Sequence, residues 1–408
     1  MSEWREVKLE AVIKFVDGDR GKNYPKQNEY LNKGYCVFLN TSNITKDGFN
    51  LKKVNYIDEN KDKILRNGRL DYGDLILTTR GTIGNVALYQ TGMYYPMRIN
   101  SSMLILKVNE SISNNYLFYV FKTDSMKEYM TLFSSGSAQP QLPVKDLKKI
   151  KFKIPEMKYQ EKIANVLSTY DRLIGNNNRR IEVLEQTAEE IYKEWFVRMR
   201  FPGYENTKLV KGIPEGWEVK KVNNLGEVVT GKTPSTKVAE YYGGEIMFIK
   251  TPDMHGNIFT SQTETYLSED GSNNQANKLL PQDSIMVSCI GTGGVVSINM
   301  FPAQTNQQIN SIILEDTKIR EWAFLTLKSM KQTIELFGAT GATMTNLSKG
   351  KFEGLKLLYP SDELLNKFNN ITKPMFEELK SIILTNENLK KQRDLLLPRL
   401  MNGSIKVK

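Results

Sequence analysis

Asp74-Leu75-Ile76-Leu77-Thr78-Thr79-Arg80-Gly81-Thr82-Ile83-Gly84 has a second version further along the chain, Ser284-Ile285-Met286-Val287-Ser288-Cys289-Ile290-Gly291-Thr292-Gly293-Gly294. Each is a short apolar run that ends in a glycine-rich turn, the pattern of a buried strand followed by a loop. Gly81 and Gly84 fall on Gly291 and Gly294 at a shift of 210. The same shift carries Phe38-Leu39-Asn40-Thr41 onto Phe248-Ile249-Lys250-Thr251 and Ile99-Asn100-Ser101 onto Ile309-Asn310-Ser311. Phe118 and Lys122 match Phe324 and Lys328 at 206, while Gly136, Leu142 and Pro155 match Gly341, Leu347 and Pro360 at 205. Small loop deletions produce such a drift. The chain therefore reads as a tandem duplication, each half a mixed domain, a proline and a long helix.

Within the mixed domains, residues 102–106 and 312–314 read as further strands, and 116–127 and 322–331 have helical periodicity. The long helices are clearer. After Pro155, Ile163, Val166, Tyr170, Ile174, Asn177, Ile181, Leu184, Ala188, Ile191 and Trp195 follow one another by threes and fours. After Pro360, so do Phe368, Ile371, Met375, Leu379, Ile382, Asn386, Leu389, Leu396 and Leu400, with Arg393 filling one gap. A seam held for about five heptads exceeds an ordinary globular helix and predicts two helices paired antiparallel as a coiled coil. Asn177 and Asn386 fall on that seam, where an asparagine sets register.

The expected architecture is α+β: two similar mixed α/β domains separated by two long antiparallel coiled-coil helices, a pseudo-twofold tandem repeat. The predicted boundaries are 1–155 for the first domain, 156–200 for the central helix and 201–216 for a linker opened by Phe201-Pro202-Gly203. They continue with 217–360 for the second domain, 361–401 for the distal helix and 402–408 for a tail.

Composition narrows the function classes. At 408 residues the chain is long enough for two or three domains, and 40% apolar with 25% charged residues is ordinary for a soluble globular protein. Glu3, Arg5, Glu6 and Lys8 interrupt any early apolar run, so no signal peptide is expected, and no apolar stretch approaches the ~20 residues of a membrane span. A cytoplasmic protein without a membrane partner is the expectation. Cys36 and Cys289 are too few for a disulfide framework or a zinc site, and the lone histidine, His255, supports neither a metal cluster nor a triad. The net charge of +10 suits nucleic acid. It is uneven: residues 1–155 hold 24 Lys/Arg against 16 Asp/Glu, and residues 208–360 hold 15 of each.

Two stretches imitate catalytic motifs. Gly226-Glu227-Val228-Val229-Thr230-Gly231-Lys232-Thr233 matches the phosphate-loop pattern letter for letter. That loop needs a buried strand before it and a helix after it. The preceding segment, 217–225, carries Lys220, Lys221, Asn223 and Asn224, and Pro234 follows Thr233 directly. A loop of the mixed domain, equivalent to Gly18-Asp19-Arg20-Gly21-Lys22, is expected instead. Phe337-Gly338-Ala339-Thr340-Gly341 resembles a cofactor glycine loop but aligns with the Gly136 loop. The sequence holds no Pro-Pro pair, which amino-methyltransferases need to grip a flipped base.

The ordered motifs resemble one family. Trp4 and Gly216-Trp217 open the halves. Gly73-Asp74-Leu75-Ile76 with Arg80-Gly81-Thr82-Ile83-Gly84 follows, then Ser135-Gly136-Ser137-Ala138-Gln139-Pro140-Gln141-Leu142, Ile154-Pro155 and Gln160-Glu161-Lys162-Ile163-Ala164. Leu184-Glu185-Gln186-Thr187-Ala188-Glu189-Glu190 with Glu194-Trp195-Phe196 closes the central helix, and Leu395-Leu396-Leu397-Pro398-Arg399-Leu400-Met401 the distal one. Over essentially its whole length the chain resembles the specificity subunits (HsdS) of type I restriction-modification systems. The resemblance implies two target recognition domains reading the halves of a bipartite double-stranded DNA site, with the helices as a spacer. It implies two methyltransferase (HsdM) subunits and restriction (HsdR) subunits as partners. This chain would be non-catalytic and bind no cofactor, with S-adenosylmethionine, ATP and Mg used by those partners. Cys289 and Ile290 stand where the first half has Arg80, and Met344-Thr345-Asn346 replaces Gln139-Pro140-Gln141, so the two domains are expected to read different bases.

Base edges are read by Arg, Lys, Asn, Gln, Asp and Thr carried on loops, and phosphates by Lys, Arg, Ser, Thr and backbone N–H groups. Polar residues at the ends of the paired apolar strands are the candidates, each weighed against a plainer role as a solvated or turn-capping residue. In the first half they are Lys22, Thr41, Asn43, Thr79, Arg80, Arg98, Asn100, Gln139 and Gln141. In the second they are Lys232, Lys250, Thr251, Asp253, His255, Thr292, Gln307, Gln308, Asn310, Thr345 and Asn346. The rival functions are a stand-alone coiled-coil nucleic-acid-binding scaffold and an enzyme, either a P-loop NTPase or an autonomous methyltransferase.

Overall fold

The computed structural model describes residues 4–134, 140–339 and 345–407. The chain divides into two compact units, one of residues 1–175 with 389–408 and one of residues 176–388. Each long helix thus gives part of its length to each unit, and the helices are not units of their own.

In the first unit the run Leu75–Thr78 is the third strand of a four-stranded antiparallel sheet, in the order Ile13–Asp17, Met103–Val108, Leu75–Thr78, Val86–Leu88. All four of its residues are buried. Successive side chains point to opposite faces of a strand. Leu75, Leu77, Leu104 and Leu106 accordingly enter one core, with Tyr116, Leu117 and Phe121, while Ile76, Met103 and Ile105 enter a second, with Leu39 and Met97. A sheet covered on both faces has no use for polar alternation, which is why the run is continuously apolar. A smaller sheet of Asn55–Ile57, Cys36–Leu39 and Met97–Ile99 supplies that second core, its last two strands being parallel.

The second unit repeats this plan. Gly226–Thr230, Ile309–Leu314, Ile285–Ser288 and Val296–Asn299 are neighbours in the same order, extended by Phe259–Thr260. Thr265–Leu267, Tyr242–Ile249 and Ala303–Thr305 repeat the smaller sheet, again with one parallel pair. Ile285 and Val287 enter one core and Met286 the other.

This topology corrects one of the matched pairs. Ile99 lies on the strand beside Cys36–Leu39, whereas Ile309 opens the strand between Gly226–Thr230 and Ile285–Ser288. Asn100 N–H donates to Leu39 O at 3.0 Å, and the residue that repeats this bond is Asn306, to Ile249 O at 3.2 Å. The shift has therefore dropped from 210 to 206 before Asn100. The missing residues lie in the connection 89–96, shortened to 300–302 in the second unit.

The long helices run Met157–Tyr192, continued by a wide π turn over Lys193–Val197, and Asp362–Met401. In the first unit Arg393 Nη1 meets Asp171 Oδ1 at 2.6 Å, and Tyr119 OH donates to the other oxygen at 2.7 Å. In the second, Asn177 Nδ2 donates to Asn386 Oδ1 at 2.8 Å, Asn386 Nδ2 to Asn178 Oδ1 at 2.9 Å, and Arg180 pairs with Glu378. In the first unit Val407 N–H also donates to Tyr159 OH at 2.9 Å, so in each unit one residue number rises as its partner's falls and the two segments run antiparallel. The seam differs from expectation at one place: Ile371 is 40% exposed and Thr372 is fully buried beside it.

Candidate nucleic-acid interface

Loops from both sheets of the first unit meet at one end. Gly18 leaves the strand Ile13–Asp17 so close to Asn100 that a Cβ on it would lie 2.1 Å from Asn100 O. Thr79 N–H donates to Ser102 O at 3.0 Å and Leu142 N–H to Thr79 O at 2.9 Å, and Arg80 pairs with Gln141 across an antiparallel bridge. Asn85 Nδ2 donates to Ile44 O at 2.9 Å, tying in the loop after Cys36–Leu39. Residues 18–22, 40–45, 79–85, 100–102 and 140–142 thus form one continuous surface.

The second unit repeats the main-chain bonds of the frame, though Val295 stands where Asn85 ties in its loop. Gly231 lies against Asn306 O, 2.2 Å from where its Cβ would be. Cys289 N–H donates to Gln308 O at 2.7 Å and Leu347 N–H to Cys289 O at 2.9 Å. Ile290 pairs with Asn346 and Gly291 with Thr345. Gly81, Gly84, Gly291 and Gly294 all have positive φ, between 72° and 87°, which explains their type at those turns. Thr78 and Ser288 hydroxyls bond Thr82 O and Thr292 O at matching positions.

The frame sorts the candidates. Lys22, Gln141, Lys232, His255, Thr292, Gln307 and Asn346 are exposed at this end, and Thr41, Arg80, Asn100, Lys250, Gln308 and Thr345 are half-buried. Thr233 Oγ1 donates to Gln307 Oε1 at 2.6 Å, and Asn306 Nδ2 to Gln308 Oε1 at 3.1 Å. Gln139 lies outside the described residues.

Five candidates are enclosed, and as DNA contacts they are corrected. Arg98 is 4% exposed and gives its donors to Asp62 Oδ1 at 2.5 Å, Asp62 O, Leu65 O and Asn67 O. Asn43, 1% exposed, accepts from Asn40 N–H and donates to Asn50 O and Lys53 O. Thr79 gives its hydroxyl to Ser102 O, and Asn310 Oδ1 accepts from Thr230 Oγ1 at 2.6 Å. Thr251 is enclosed, its hydroxyl without a partner among the described residues. Asp253, half-buried, occupies the same position as Asn43. Its carboxylate accepts from Lys250 N–H, Thr263 Oγ1 and Glu264 N–H, so it holds a loop together.

The expected equivalence of Lys22 with Lys232 also changes. Gly18 and Gly231 share the contact with the asparagine carbonyl, which places Lys232 opposite Asp19. Burial pushes the Asp19 carboxyl up. The N–H groups of Gly21 and Arg66, at 2.8 and 2.7 Å, outweigh burial and hold it below its ordinary value.

The phosphate-loop look-alike is a sheet strand. Gly226–Thr230 pairs along its length with Ile309–Leu314, and after it comes an irregular segment before the single turn Ala239–Tyr241. No helix follows to present N–H groups to a phosphate. Among the described residues, no cluster of three His, Cys, Asp or Glu side chains is placed to hold a metal ion, and no helix is long and apolar enough to cross a membrane.

The sequence matches the family described as "Type I restriction modification DNA specificity domain" twice, over residues 1–186 and 214–395. The chain belongs to that family. It is 28% identical to the HindI specificity subunit of Haemophilus influenzae, with 99% of this chain and 100% of that one covered. It is also 28% identical to the MjaIX specificity subunit of Methanocaldococcus jannaschii, over 82% of this chain and 78% of that one. A crystal structure of a type I restriction-modification S subunit from M. genitalium shares the fold at a TM-score of 0.63, with 15% identity and coverage of 98% and 96%. The two family matches are the two sequence repeats, so this is a type I DNA specificity subunit with a recognition frame built twice. Sequence reasoning passed over Asn306 and Thr233, which position Gln308 and Gln307. Tyr95-Pro96 and Phe301-Pro302, 206 apart, were the signal that would have found Asn306.

Proposed function

We propose that this specificity subunit reads a bipartite double-stranded DNA site, one half-site by each loop frame, and does no chemistry itself. The duplicated frame carries the reading: two domains present exposed Lys, Gln, Asn and Thr side chains from the same backbone scaffold with different residues at matching places. In this reading methyltransferase subunits dock on the chain and restriction subunits join that core. S-adenosylmethionine, ATP and Mg serve those partners, and the complex works on cytoplasmic DNA.

The test is to co-express the chain with its methyltransferase in a host lacking other methylation and to sequence the methylated positions. A two-part motif with a fixed gap is expected. Replacing residues 217–360 by those of another specificity subunit should change one part only. Methylation of the same motif without this chain would overturn the proposal.

A further inference from the structure

The two frames differ most tellingly at one pair of facing residues. Arg80 and Gln141 are opposite one another across the bridge in the first unit, and Ile290 and Asn346 are opposite one another in the second. Residues directly opposite in an antiparallel pair send their side chains to the same face. The hydrogen bonds on either side, from Thr79 and Leu142 in one unit and Cys289 and Leu347 in the other, are identical in pattern. Hence the two pairs occupy one place in the recognition frame. Exposure agrees: Arg80 and Ile290 are half-buried, and Gln141 and Asn346 are exposed.

Resting on the reading that this end of each unit faces duplex DNA, we infer that these pairs distinguish the two half-sites: Arg80 with Gln141 selects a G·C pair, and Ile290 with Asn346 selects an A·T pair. Arg80 Nε is shielded from water and has no acceptor among the described residues. The two terminal nitrogens of this half-buried side chain donate to nothing among the described residues, and the major-groove edge of guanine offers two acceptors, O6 and N7, to such a pair of donors. An ion pair would be the ordinary fate of a half-buried guanidinium, and among the described residues Arg80 makes none. Ile290 has no donor at all. Its apolar surface suits the thymine methyl group, and the amide of Asn346 beside it matches adenine N6 and N7.

Two experiments decide. Duplex carrying 7-deazaguanine at each guanine of the first half-site in turn is titrated with the wild-type methyltransferase complex. One position should weaken binding by roughly 10- to 100-fold, the loss of one bidentate base contact. Equal binding at every position overturns the assignment. In parallel, Arg80→Ile with Gln141→Asn, and separately Ile290→Arg with Asn346→Gln, are assembled with the methyltransferase and their methylated motifs sequenced. The first swap should replace one G·C requirement by A·T, the second the reverse, with the gap and the other half-site unchanged. Because the swaps lie in different units, a folding failure of one leaves the other to decide. Methylation that falls equally at all sequences, with a shallower salt dependence, would make Arg80 a phosphate contact and overturn the inference. A wild-type complex with no defined motif would instead overturn the functional reading beneath it.

Discussion

Arg98 and Gln304 hold one position in the two small sheets, facing Phe38 and Phe248, and solve the same burial problem differently. Arg98, with the more exposed Arg69, neutralises Asp62, while Gln304 bonds Ser272 and Gln275 without any charge. Removing one member of a buried ion pair is costly even where the other keeps a second partner, as Asp62 keeps Arg69 Nη1 at 3.0 Å. Arg98→Ala should therefore lower the unfolding free energy by about 3 kcal/mol, the low end for a broken buried pair, in a urea titration. Arg98→Gln with Asp62→Ser, which imports the neutral arrangement, should cost less than the single change and leave the methylated motif unaltered. A double variant weaker than Arg98→Ala would show that the two networks are not interchangeable. Burial fixes a second chemistry at this scale. The Cys36 thiol is pushed up to about 12, by burial and then by the charge of Asp62, and Cys289 to about 11 by burial. Because the thiolate is the reactive form, a thiol reagent at pH 8 should label neither in the native protein and both in urea; labelling of the native protein would contradict their enclosure. Such partnerships were not legible in the sequence. Asp62 is 36 positions from Arg98, and a polar residue at a strand end looks the same whether it faces DNA or a buried carboxylate.

The long helices were legible because their period is local: spacing by threes and fours survives whatever the rest of the chain does. The choice of Ile371 as a seam residue failed because apolarity was the only criterion available. Thr372 replaces it, and its hydroxyl donates to Phe368 O at 2.9 Å within the same helix, so a polar side chain is buried there without an unmet donor. Asn177 and Asn386 do meet, as the seam implied, and Asn178 joins them. Asn386→Leu should leave two amides without their partner and lower stability by about 1–3 kcal/mol. Asn177→Leu combined with Asn386→Leu should recover much of that loss in thermal unfolding, since a seam asparagine trades stability for register. If the single change is already neutral, the amide pair does not specify the pairing.

The duplication is the property of the whole chain that its sequence displayed best, because glycines with positive φ recur wherever the frame recurs. Its misreading at Ile99 came from a loop deletion that apolar strands on either side disguise. What the duplication means for function turns on the helix between the halves. Met157–Tyr192 is continuous, and a second copy of Thr187-Ala188-Glu189-Glu190 would add four residues to it, or about 6 Å at 1.5 Å per residue. Ala188 is fully buried and Glu189 bonds Lys328, so an insertion of unrelated sequence would tear the second unit from its helix. A tandem copy avoids this, since either repeat supplies the same Ala and Glu to the same neighbours. Four residues turn the helix by only about 40° beyond a full turn, a stutter that unwinds a heptad seam locally without breaking it. If the helix sets the gap in the target, the methylated motif should lengthen by one or two base pairs, at about 3.4 Å each. Both half-sites should keep their bases, because no loop of either recognition frame is touched. Sequencing of methylated sites from a strain carrying the insertion measures this directly. A motif with the old gap and full methylation would show that something other than helix length sets the spacing. A motif with new bases would show that the helix itself contributes to reading them.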